Sequence, residues 1–270
     1  MKFNFTILLF FMGFFANAKY TNATIYYTDG QSEKGLINSF LENNFFDFNF
    51  FGTFEEGLIY NDKSIKFKLN EESEGKKIAI GDIDKIILHY EGFDKEYRAL
   101  YIRNINRKGI LEESKARIFL PLLRAGKINL YGFYHRSTQY NHDRKMPSST
   151  TTVSEMFYIQ NANENYAIDY YNIELQDVFN LRDRLANPLK ELLKDCPELV
   201  EKVHNSFYED KNLSKQEKKK MKEQSKATWK ALQKEYKNIP MDQKRGDLLL
   251  FHQYNCKPFE DFFSEYENCN

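Results

Sequence analysis

Three cysteines, five histidines and one dense run of lysines are the residues of this chain best equipped to do chemistry. Cys196, Cys256 and Cys269 permit one disulfide and leave a thiol over. Pairing Cys196 with Cys256 would tie two C-terminal segments together and leave Cys269, one residue from the end, as a free, frayed thiol; three free thiols are the alternative. A thiol nucleophile needs a base and a lowered pKa, and His204 and His252 are near these cysteines only in numbering. His135 and His142, with Asp143 adjacent, are spaced for a metal only if a loop folds them together, so no metal site is assigned. Lys218, Lys219, Lys220 and Lys222 are candidate contacts for phosphates or other anions. The chain shows no glycine-rich phosphate loop, GxSxG, HExxH or CxxC. No catalytic residue and no cofactor are therefore assigned.

The elements that must position these residues change character along the chain. The first eighteen residues have the form of a secretory signal peptide: Lys2, an apolar run from Phe5 to Phe15, and the small residues Ala16 and Ala18 before the expected cut. That run is about half of the ~20 residues a membrane-spanning helix needs. Lys19 to Asn270 is thus expected outside the cytoplasm, in the periplasm, on the envelope or secreted. The formal net charge is zero, yet Lys211 to Arg245 carries twelve Lys and Arg against four acidic residues.

From Tyr20 to Asp169 the apolar residues alternate in short runs, the period of strands. Tyr20 to Tyr27 and Gly35 to Phe40 flank an Asp29-Gly30 turn. Phe46, Phe48 and Phe50 alternate in one strand, and Ile65, Phe67 and Leu69 are read as the inward face of another. Ile118 to Leu123 and Ile128 to Tyr134 flank Arg124 to Lys127 as the central hairpin. Ser137 to Ser154 lacks an apolar face and is read as a flexible loop at 137–154. Met156 to Ile159 and Tyr166 to Asp169 resemble a last hairpin.

Beyond Tyr171 the period becomes helical. Leu175, Val178, Phe179, Arg182 and Leu185 share one face, with Pro188 expected to kink or end that helix. Asp195-Cys196-Pro197-Glu198 reads as a helix start, and Ser214-Lys215-Gln216-Glu217 as a capping box for a helix at 215–237. Its Lys residues surround a narrow stripe of Met221, Ser225, Thr228, Leu232 and Tyr236, with Trp229 beside it. The segment KPFEDFFSEYENCN is an aromatic, acidic tail. The expected fold is α+β: an antiparallel β region at 19–170, as sheet, sandwich or partly open barrel, then a helical region at 171–270.

Several segments together give a resemblance. The Asp29-Gly30 hairpin, GDIDKIILHYEG from Gly81, LLRAGKINLYGFY from Leu122, MFYIQ from Met156, LKDCPEL from Leu193 and Tyr254-Asn255-Cys256 are similar to a set of uncharacterised exported proteins of Bacteroidetes-type bacteria. The resemblance implies an envelope address and supplies no catalytic residue. Cys196 and Cys256 fall at its cysteine positions, which supports their pairing. The reading that follows is a non-catalytic protein-binding or structural module whose partner is another envelope or secreted protein, met through the β face or the 137–154 loop. The alternatives are a hydrolase of exported substrates and a binder of anionic membrane surfaces through the Lys-rich helix, with weak lipid contact. Nucleic acid is not an expected partner.

Overall fold

A computed structural model describes residues 20–38, 53–55, 64–106, 109–113, 117–141, 148–169, 181–208, 214–239 and 247–269. Within them the fold is α+β. The strands are β1 (Tyr20–Tyr27), β2 (Ser32–Asn38), β3 (Thr53–Glu55), β4 (Ser64–Lys68), β5 (Lys76–Ala79), β6 (Ile83–Tyr90), β7 (Phe93–Arg103), β8 (Arg117–Arg124), β9 (Ile128–Asn141), β10 (Ser148–Asn161) and β11 (Tyr166–Asp169). The helices are α1 (Leu181–Leu192), α2 (Pro197–Tyr208), α3 (Lys215–Asn238), α4 (Leu248–Asn255) and α5 (Lys257–Tyr266).

The long strand β7 organises the sheet. Tyr97 to Tyr101 pair with β8 along one edge. The other edge is shared in succession: Phe93 to Arg98 pair with β6, and Tyr101 to Arg103 pair in parallel with β11. Since β8, β9, β10 and β11 pair in order, the β11–β7 contact closes a five-stranded ring. The strands β6, β1, β2, β4 and β5 continue from β7 as an open wing.

Period-two alternation then sorts the side chains. Leu100, Ile118, Leu120, Tyr131, Phe133, Tyr158 and Ala167, drawn from all five ring strands, form one buried cluster. The intervening residues Ile128, Leu130, Phe157, Ile159, Tyr166 and Ile168 point the other way and pack against the helices, among them Leu189, Leu193, Val203, Phe259 and Phe263. The wing has its own core, including Ile25, Ile37, Phe67, Ile86 and Leu88.

The first hairpin forms with Tyr20 opposite Asn38, and Gly30 at φ +86° supplies its left-handed turn residue. Four expectations are corrected. Leu69 lies past the end of β4 and is 61% exposed, so only Ile65 and Phe67 face inward. Ser137 to Asn141 and Ser148 to Ser154 are the paired outer arms of β9 and β10, not a loop; of this segment, 142–147 lie outside the described residues. A ladder needs backbone partners and β-prone residues such as Thr150 to Val153, but no apolar stripe. Helix α1 runs through Pro188 to Leu192. The aromatic tail is helix α5, with Phe259, Phe262, Phe263 and Tyr266 buried. The phenylalanine stripe at 46–50 and the helix start at 175–179 lie outside the described residues.

Candidate functional site

The cysteines pair differently from the expectation: Cys196 is bonded to Cys269, with Cα atoms 6.3 Å apart. Cys269 is held in place, because α5 is buried, the Lys127 amide donates to Glu267 Oε1 (2.9 Å), and Lys127 Nζ donates to the Cys269 carbonyl (2.6 Å). Cys256 stands at the α4–α5 junction, buried and outside the disulfide. His135 lies on β9, where its backbone pairs with Ser154 and Glu55, while His142 is outside the described residues. Among the described residues no group of three or more His, Cys, Asp and Glu side chains could hold a metal ion.

Among the polar clusters that the fold builds from the described residues, three have the residue types for chemistry, and the sequence reading does not find them. On the wing, His89 bridges two strands: Nδ1 lies 2.8 Å from Asp94 Oδ1 and Nε2 lies 2.8 Å from Thr24 Oγ1. A carboxylate only accepts, so Nδ1 carries the proton; in the neutral ring Thr24 then donates to Nε2. That is the order of a hydroxyl, base and acid triad. However, Thr24 is only 3% exposed, and the side chain of Asp94 is 62% exposed. The neighbouring open groove, about 650 Å³, is lined by His89, Asn22, Leu69 and Asn70, not by Thr24. The hydroxyl is thus not presented to a substrate.

The second cluster lies in the ring. Gln160 Oε1 accepts from Asn129 Nδ2 (3.0 Å) and Tyr131 Oη (2.5 Å), and Gln160 Nε2 donates to the Glu164 carbonyl (2.6 Å). Burial pushes the Tyr131 hydroxyl well above its ordinary pKa, against the opposing pull of the Arg98 guanidinium. A phenol held neutral among satisfied amides holds strands in register and offers no base.

The third cluster joins the helices to the ring. Glu260 on α5 accepts from His252 Nδ1 on α4 and from Arg124 Nη1 on β8, the latter at 2.5 Å. Burial alone would raise the Glu260 pKa, but these two bonds outweigh it and hold the carboxyl below its usual range. Burial pushes His252 below its ordinary value, against the bond to Glu260. His252 is therefore a neutral donor. It is 0% exposed and in contact with the rings of Phe157 and Phe263, so the imidazole is sealed from ligands.

The element that does face solvent is α3. Its capping box forms as expected: Ser214 Oγ accepts from the Glu217 amide (3.3 Å), and Glu217 Oε2 accepts from the Ser214 amide (2.8 Å). None of its 24 residues is buried, and every residue from Met221 to Ala231 is exposed. It meets α4 near its C-terminal end, where Tyr236 lies 5.5 Å from the Tyr254 ring and Tyr254 Oη donates to Glu235 (3.1 Å). All four lysines singled out in the sequence, Lys218, Lys219, Lys220 and Lys222, are exposed here.

At 3.6 residues per turn, eight of the nine α3 lysines fall within an arc of roughly 160°. Only Lys218 lies beside the Met221, Ser225, Thr228 and Leu232 stripe, so the lysines do not surround the helix evenly. Met221 and Trp229 are 52% and 46% exposed. No helix among the described residues is long and apolar enough to cross a membrane. No protein-family model, curated protein or solved structure matches this chain.

Proposed function

We propose that this protein is an exported, non-catalytic binding module and that α3 is the element with which it holds a macromolecular partner. One observation carries the reading: a capped helix of 24 residues buries none of them and leaves Met221 and Trp229 in water. Helices in globular proteins owe most of their stability to a packed face. A long helix that packs only at its C-terminal end, on α4, is an arm whose remaining face awaits a partner. The signal-peptide pattern and the Cys196–Cys269 disulfide support an oxidising, extracytoplasmic address. The sealed His252 and the covered Thr24 hydroxyl support a role without chemistry.

The test is photo-crosslinking in the producing cell from probes placed at Met221 and Trp229, with Phe93, 61% exposed at the start of β7, as the control position. Discrete adducts from the two α3 positions alone are expected. Equal or stronger adducts from position 93 would refute the assignment to α3.

A second reading, hydrolysis of an exported substrate, draws on His89, which lines the open groove and pairs with Asp94. It requires turnover of an ester or amide that His89→Ala abolishes while the fold is kept. Activity unaffected by His89→Ala removes it.

A further inference from the structure

We infer that the surface held by α3 is an anionic lipid bilayer, on which its exposed part, Lys215 to Ala231, lies with Trp229 at headgroup depth. The inference rests on α3 being the contact arm. What it adds is the class of the partner.

The helix carries nine lysines and three glutamates on a chain whose formal net charge is zero. Two of the glutamates are engaged, Glu217 in the capping box and Glu235 with Tyr254. Glu223 is thus the one acidic residue on the lysine face. Segregated lysines opposite a weakly apolar stripe, with low overall hydrophobicity, are the pattern of a helix lying in a membrane interface. Trp229 sits where the stripe meets the lysines, the position from which an indole reaches the headgroup layer. The long lysine stems can extend toward phosphates on either side.

Other occupants fit the same face less well. A second copy would set two strongly positive helices side by side. A partner protein with a groove for a helix selects large apolar anchors at successive turns, whereas Ser225 and Thr228 interrupt this stripe and Leu232 and Tyr236 are partly covered. Nucleic-acid surfaces favour arginine forks and interleaved aromatics, and α3 has no arginine.

Trp229 is the only tryptophan of the chain, so tryptophan emission, excited selectively over tyrosine, reports on α3 alone. The protein from Lys19 onward is titrated with vesicles of phosphatidylcholine, with or without phosphatidylglycerol, some carrying brominated acyl chains. The expected result is a blue shift with bromine quenching on phosphatidylglycerol vesicles at about 0.1 M salt. Raising salt to about 1 M, where the screening length falls to ~3 Å, should reverse it. Replacing Lys222, Lys226 and Lys230 together with glutamine should weaken partitioning on the order of a hundredfold, at about fivefold per lysine. These side chains are exposed, so the fold is kept.

No blue shift on phosphatidylglycerol vesicles overturns the lipid assignment. So does sedimentation with the vesicles without bromine quenching, or an equal shift with an oligonucleotide. If adducts from Met221 and Trp229 to a protein persist in those cases, the arm reading stands and only the partner class is wrong. If they are absent as well, both fail.

Discussion

Replacing Glu260 with glutamine tests how the helical region is held to the ring. Glu260 is 7% exposed and accepts from two sides, Arg124 on β8 and His252 on α4. Glutamine keeps the size but removes the charge, and its amide nitrogen cannot accept from one of the two donors. Breaking a buried pair by removing one partner costs about 3–5 kcal/mol. The Arg124 side chain is 29% exposed and can recover some hydration, which puts the expected loss at the lower end, ~3 kcal/mol. For a chain of this size that is a fall in Tm of roughly 6–12 °C. Urea unfolding with an unchanged m-value measures it. Arg124→Met should cost less in the Glu260→Gln background than in the wild type. A loss below about 1 kcal/mol, or full additivity of the two changes, would refute the view that this cluster locks the helices down.

The same cluster sets a pH dependence. Both groups have folded pKa values below their unfolded ones. On acidification the unfolded chain therefore takes up more protons, and stability falls. The His252 contribution, complete above about pH 6.5, is lost as pH drops toward its folded value, and the Glu260 contribution follows below about 4.3. Unfolding midpoints across pH 4 to 8 should show this decline, and His252→Gln should remove its upper part. Cys196→Ser should destabilise by up to ~4 kcal/mol, the loop entropy of a bridge across 73 residues. Peptide mapping without reductant should recover Cys256 as the alkylated thiol, and only after unfolding. Gly35→Ala should cost about 1–3 kcal/mol, because its Cβ would fall 2.2 Å from the Lys68 carbonyl oxygen and 2.5 Å from the Phe67 ring. By contrast Trp229→Ala should change unfolding stability by no more than about 0.5 kcal/mol, and a larger loss would mean that α3 is packed after all.

Local features were legible in the sequence. The Asp29-Gly30 turn fixed the first hairpin, Arg124 to Lys127 joined β8 to β9, and the Ser214–Glu217 box started α3, since each depends on residues within a few positions. What was hidden depends on distant pairing. The ring closes through β11 on β7, 65 positions apart at Tyr166 and Tyr101. No periodicity encodes that contact. The cysteine pairing is hidden for a related reason: nearness to the chain end suggests fraying, whereas the four buried aromatics of α5 hold Cys269 in place. The His89–Asp94 pair could have been found, because the two-residue turn at Glu91-Gly92 sets those residues opposite each other across β6 and β7. The Glu260–Arg124 pair, 136 positions apart, could not.

The central claim, that α3 is the contact arm, is tested most directly by hydrogen exchange on the whole protein with and without the envelope membranes of the producing cell. The account predicts slowed exchange confined to amides between Met221 and Ala231, where every residue is exposed in the isolated chain. Unchanged exchange there, with new protection on the wing or along the outer arms of β9 and β10, would contradict it.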